Sequence, residues 1–173
     1  IADSLDALPE GALLGTASLR RQAQALARRP DLEIVMFRGN VGTRLQKLAD
    51  GVAHATFLAA AGLKRLGQSE VATSFVPVDV LLPAAAQGAV GLQARADDEN
   101  ARTLCAPVNH AETALRIAAD RGFLDALDGS CRTPMAALAE LGPQGMRLRA
   151  EALTHDGQQR WARDEIGFHR HEY

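Results

Sequence analysis

Two places in the 173-residue chain put arginine where an α-helix is about to begin. Arg20 and Arg21 follow an apolar run from Ala12 to Leu14, a Gly15-Thr16 turn and Ser18, a residue type suited to cap a helix N-terminus. Arg38 ends a second apolar run, Glu33 to Phe37; Gly39-Asn40-Val41-Gly42 then makes a turn, and Thr43 and Arg44 open the next helix. The helix macrodipole is positive at that end and disfavours a cation by roughly 0.3–1 kcal/mol, so acidic residues are its ordinary occupants. A bound anion reverses the sign, because backbone N–H groups and guanidinium forks then act together on one carboxylate or phosphate. Arg28, Arg29 and Lys47 lie late in their helices, where a solvated cation complements the dipole.

The second constellation is Gly129-Ser130-Cys131-Arg132-Thr133-Pro134, a loop of small residues directly after a helical stretch. Arg132 beside Cys131 favours the thiolate, the form that acts as nucleophile or attachment point. Cys105 lies in an apolar helical segment and reads as a buried structural cysteine. His and Cys residues fall in no metal-ligand spacing, so no metal is expected.

Alternating strands and helices must position these residues. After the first two units, Ala53 to Ala59 reads as a strand and Gly62 to Leu66 as a helix, a pattern that predicts a parallel α/β sheet. Ser74 to Gln87 is a linker with Pro77 and Pro83; Gly88 to Ala94 reads as a further strand and Asp97 to Cys105 as a short helix. Asn109 and Glu112 form a capping-box pattern opening a helix to about Leu127. Met135 to Leu141, Met146 to Leu153 and Gln159 to Phe168 read as strands, with turns at Gly142-Pro143 and Asp156-Gly157. The tail is therefore a small α+β unit.

Hydrophobic residues at 47% and charged residues at 23% are those of a globular chain, and no apolar stretch is long enough to cross a bilayer. The net charge of -2 conceals an uneven distribution: Gly15 to Lys47 holds seven basic residues against two acidic ones. A nucleic-acid partner is disfavoured by the overall charge and by only five Phe, one Trp and one Tyr. Two cysteines and no signal peptide predict a reducing, cytoplasmic setting.

Four motifs, in order, then carry a resemblance. Thr16-Ala17-Ser18-Leu19-Arg20-Arg21-Gln22, Arg38-Gly39-Asn40-Val41-Gly42-Thr43-Arg44-Leu45, Leu82-Pro83 with Gln87-Gly88-Ala89-Val90-Gly91, and Gly129-Ser130-Cys131 with Thr133-Pro134 resemble the porphobilinogen deaminase (hydroxymethylbilane synthase) family, collinearly from about Gly15 to Leu141. The resemblance implies a periplasmic-binding-protein-like α/β domain over residues 1–82, a return strand and helix over 83–108 that belong with an absent first domain, and a cofactor-attachment α+β domain over 109–173.

It also implies a dipyrromethane cofactor joined through a thioether to Cys131, with Ser18, Arg20, Arg21, Arg38, Gly42, Thr43 and Arg44 binding cofactor and substrate. The implied reaction condenses four porphobilinogen molecules head to tail with loss of ammonia, in a protein that is monomeric at full length. Asp120-Arg121 stands where the family usually has Glu-Arg, and Ala17 replaces a frequent serine. No residue matches the family's catalytic aspartate, so the chain is expected to be an inactive fragment of a longer enzyme. The alternative reading is a non-catalytic anion-binding module of the same fold, which gives Cys131 no role.

Overall fold

The computed structural model describes residues 3–130 and 132–167. Within them the chain is mixed α/β and divides into two compact units. One unit comprises the chain up to Leu82 together with residues 132–134 and Ala152–Trp161; the other comprises Pro83–Ser130, Met135–Glu151 and the chain from Ala162.

The first unit is built on three parallel strands, β1 (Leu13–Thr16), β2 (Glu33–Met36) and β3 (Ala55–Thr56), in the order β2-β1-β3. Leu13 faces Glu33 and Thr16 faces Met36, while Gly15 faces Thr56 on the other side of β1. Helices α1 (Leu19–Arg28), α2 (Val41–Ala49) and α3 (Ala60–Arg65) follow the strands in turn. Ser18 caps α1 as its residue type predicts, its Oγ accepting the Arg21 N–H at 3.4 Å. Asn40 caps α2 through Oδ1, which accepts the Thr43 N–H at 2.9 Å. The core gathers Leu5, Leu8, Ala12, Leu14, Ala25 and Leu32, with Ile34 and Phe57 packed against it.

Arg29 departs from the expectation of solvated charge. Its guanidinium forms a two-pronged pair with Asp31, both contacts 2.7 Å, and donates to the carbonyls of Leu5, Asp6, Leu8 and Pro9. Residues 5–9 form no helix or strand, so their carbonyls need donor partners from elsewhere, and one arginine supplies them. Arg28 likewise pairs with Asp6. Lys47 donates to the Arg38 carbonyl at 3.2 Å and stands 5.6 Å from the Phe37 ring centroid.

The second unit carries α4 (Glu99–Cys105), α5 (Ala111–Ala126) and most of a sheet in the order β4 (Met135–Gly142), β5 (Gly145–Leu153), β6 (Arg160–Gly167). Asp120 on α5 is buried, and its carboxylate accepts the N–H groups of Ala86 at 2.9 Å and Ala139 at 2.8 Å. One acid thus ties the helix to β4 and to the turn at Ala86, whose φ of 60° is in the left-handed region.

Five expectations are corrected. Gly88 to Ala94 forms no strand; Val90 and Leu92 are exposed, and a strand needs a ladder partner to satisfy its backbone. β3 covers only Ala55–Thr56 of the run Ala53 to Ala59, because pairing with β1 extends over Leu14 and Gly15 alone. The cap of α5 is His110, whose side chain accepts from the Thr113 N–H, one residue beyond the Asn109 pattern. Cys105 is half-buried, its neighbour Leu104 being largely exposed. The predicted helix Gly62 to Leu66 begins earlier, at Ala60. Phe168 lies outside the described residues.

Two outcomes follow from this packing. A Cβ on Gly15 would meet the fully buried Phe37 ring at 2.6 Å. Overpacking of this kind costs about 1–3 kcal/mol, more than the roughly 0.4–1 kcal/mol gained by stiffening the unfolded chain. Gly15→Ala in the full-length protein therefore lowers its denaturant midpoint; an unchanged midpoint refutes the contact. Asp120→Ala strands one buried and one half-buried N–H group and lowers stability by about 2–3 kcal/mol in the same measurement.

Candidate functional site

Parallel, in-register pairing of β1 and β2 ends both strands at one edge of the sheet, where the turns into α1 and α2 begin. Neither helix has an acidic residue in its first turn. Arg21 is half-buried, and its guanidinium donates to the Phe57 carbonyl at 3.1 Å. Burial, followed by the positive charge of Arg44, pushes the Arg21 pKa down from its ordinary value. Arg44 thus acts electrostatically on Arg21, although the two are 23 positions apart in the chain.

The Arg38-to-Arg44 turn has its own internal order. Gly39 adopts a φ of 122°, and a Cβ there would meet Thr43 Cγ2 at 2.7 Å. Thr43 Oγ1 donates to Asn40 Oδ1 at 3.0 Å, and Arg44 Nε donates to the Gly39 carbonyl at 2.9 Å. Arg38 is exposed. Gly42 lies in the first turn of α2, with only Asn40 Oδ1 at 3.6 Å from where its Cβ would stand. Among the described residues, no carboxylate pairs with Arg21, Arg38 or Arg44.

Arg20 is placed differently from its neighbour. It is 8% exposed and donates to Gln24 Oε1 at 2.9 Å and to the Leu82 carbonyl, which Gln24 Nε2 also reaches at 3.1 Å. Arg20 thus braces the chain at Leu82 as well as standing in the first turn of α1. Ser18 contributes the cap of that helix, with its own N–H donating to Thr16 Oγ1 at 3.1 Å.

Cys131 lies outside the described residues. On the preceding side, the Gly129 N–H donates to the Leu124 carbonyl at 2.7 Å, and a Cβ on Gly129 would meet Met135 Sδ at 2.8 Å. A side chain there would have to push the ends of the Met135 and Leu124 side chains aside. Of the residues that support the arginine turns, Phe57 is not singled out by the sequence, Asn40 reads there only as part of its turn although its position three residues before Thr43 is that of a cap, and Lys47 reads as solvated charge.

This chain belongs to the porphobilinogen deaminase family: residues 1–103 match the family model described as "Porphobilinogen deaminase, dipyromethane cofactor binding domain". It is 54% identical over 164 residues to a porphobilinogen deaminase of Paracoccus denitrificans, covering 95% of this chain and 52% of that protein. It is 52% identical over 144 residues to a chloroplastic porphobilinogen deaminase of Oryza sativa, covering 83% of this chain and 40% of that protein. The chain thus spans about half or less of the length of these curated relatives. No helix among the described residues is long and apolar enough to cross a membrane.

The donor set fits the cofactor class in the family description, since a polycarboxylate would neutralise the Arg21–Arg44 repulsion and occupy helix N-termini that lack acidic residues. Asn40→Ala removes the cap and the Thr43 hydroxyl contact, and is expected to destabilise by about 1 kcal/mol in thermal or denaturant unfolding. Asp31 supplies a pH test elsewhere in this unit. The Arg29 guanidinium holds its carboxyl well below its ordinary value of 3.8. A depressed carboxyl contributes stability fully above the unfolded-state value and loses it as pH falls toward the folded-state value. The stability difference between wild type and Asp31→Asn should therefore be constant above about pH 5 and shrink on acidification below about pH 4. A difference that grows in acid would contradict the pairing.

Proposed function

We propose that the full-length protein containing this chain is a hydroxymethylbilane synthase. It condenses four porphobilinogen molecules head to tail onto a dipyrromethane held through Cys131, with one ammonia lost at each addition. The observation that carries this reading is the pair of sheet-to-helix turns, leaving two paired parallel strands, that carry Arg21, Arg38 and Arg44 with no carboxylate partner among the described residues. Supporting it, the family domain is one that binds this cofactor.

When bound, the cofactor supplies the free pyrrole carbon at which the chain grows. Arg21, Arg38 and Arg44 bind the acetate and propionate groups that accumulate with each ring, through charge-assisted forks. Ser18, Thr43 and Gly42 hold the two turns so that the first-turn N–H groups face the same carboxylates. Arg20 binds at the edge of this wall while bracing Leu82. Cys131 would hold the cofactor through a thioether, its Sγ giving up a proton to serve as the nucleophile. No residue of this chain is assigned the acid–base role, and the isolated 173-residue chain is expected to show no turnover. We take the full-length protein to act in the cytoplasm as a monomer.

The test is intact-mass measurement on the purified full-length protein. A dipyrromethane adduct present in the wild type and absent from Cys131→Ser supports the reading; a wild type without the adduct sinks it and favours a non-catalytic anion-binding module. Arg21→Ala and Arg44→Ala each remove a charged hydrogen-bonding partner and should lower kcat/KM for porphobilinogen by roughly 10- to 100-fold. A loss under twofold in both would remove the carboxylate wall from the mechanism.

A further inference from the structure

The turn between β5 and β6 is seated on helix α1 through contacts that leave no slack. A Cβ on Gly157 would meet the Ala27 nitrogen at 2.4 Å, the Ala23 carbonyl oxygen at 2.6 Å and the Leu26 carbonyl carbon at 2.9 Å. All three are backbone atoms, which do not swing aside, and the φ of Gly157 is 71°. Gln22 on the same helix donates from Nε2 to the His155 carbonyl at 3.2 Å. Thr154 and Asp156 close the turn themselves: Asp156 Oδ1 accepts the Thr154 hydroxyl and, at 3.1 Å, the Gln158 N–H.

From this seat the turn holds residues 132–134. His155 Nε2 lies 3.2 Å from the Arg132 carbonyl oxygen, which only accepts, so Nε2 carries the proton and donates. At the other end of the stretch the Leu153 N–H donates to the Pro134 carbonyl at 3.0 Å. The stretch immediately after Cys131 is thereby gripped at both ends by a turn that rests on the helix whose first turn carries Arg20 and Arg21.

We propose that His155 is a positioning residue: with Gly157 seated on α1, it sets where the Arg132–Pro134 stretch lies relative to the arginines of that helix, and so where a group attached at Cys131 is presented. This rests on the Cys131 attachment proposed above. His155 touches neither substrate nor cofactor in this role; it acts through the Arg132 carbonyl. Its side chain is exposed, so its removal leaves no buried cavity and need not unfold the protein.

The test uses the full-length protein with His155→Ala and His155→Gln, the latter chosen because its Nε2 donates at a similar reach. For each, thermal midpoint, the fraction of chains carrying the mass adduct, and kcat and KM for porphobilinogen are measured. Expected for His155→Ala is a midpoint close to wild type, with a fall of about three- to tenfold in kcat or in the adduct fraction and little change in KM. His155→Gln restores most of that loss. Wild-type behaviour of His155→Ala in kcat and loading overturns the inference while leaving the attachment at Cys131 intact. A loss that follows a lowered midpoint and is not restored by Gln also overturns it, as a merely structural role. A wild type without the adduct overturns the attachment reading and this inference with it.

Discussion

The Phe37 N–H donates to the Thr16 carbonyl at 3.3 Å just beyond the last residue of β2, and most of the arrangement described above depends on that register. Because β1 and β2 are parallel and end level with each other, the chain leaves both strands at the same edge. Each then turns into a helix whose N–H groups face that edge. Had the pairing slipped by one residue, Phe37 would no longer close over Gly15, and its side chain would exchange faces with its neighbours. The close fit of ring on glycine therefore secures more than packing. It fixes the relative height of two arginine-bearing turns that are far apart in sequence.

That geometry carries an electrostatic cost. Arginines stand where the helix dipole and a neighbouring guanidinium both oppose them, and burial of Arg21 adds desolvation to the repulsion. The fold offsets this locally by giving each guanidinium a carbonyl: Phe57 for Arg21, Gly39 for Arg44, Leu82 for Arg20. Carbonyls orient Arg21 and Arg44 without neutralising them, so the positive field survives for an anionic ligand. A carboxylate in the same place would have quenched it.

The features legible in the sequence are those set by local chemistry. Ser18 as a cap, the turn-forming glycines, the order of strands and helices and the strands of the tail depend on neighbours within a few residues, and they stand within a residue or two of where the pattern puts them. What was illegible depends on distant partners. Arg29 has an ordinary helix-end sequence context, yet its partners include carbonyls about twenty positions earlier. Gly88 to Ala94 has strand-forming residues but no neighbouring strand among the described residues to complete it. Arg20 and Arg21 are adjacent and chemically identical, and only the helical twist decides that one braces Leu82 while the other donates to Phe57.

The Arg29 clamp has a consequence for how this part of the molecule comes apart. Residues 5–9 take no part in any ladder or helix, yet Leu5 and Leu8 complete the core of the first unit. The carbonyls of that segment converge on a single guanidinium, which Asp31 holds in place from the residues leading into β2. Such a segment does not fray residue by residue. Release of the arginine would free its carbonyls together and uncover Leu14 and Ala25 in the same event, which makes the segment a single opening unit despite its having no regular secondary structure.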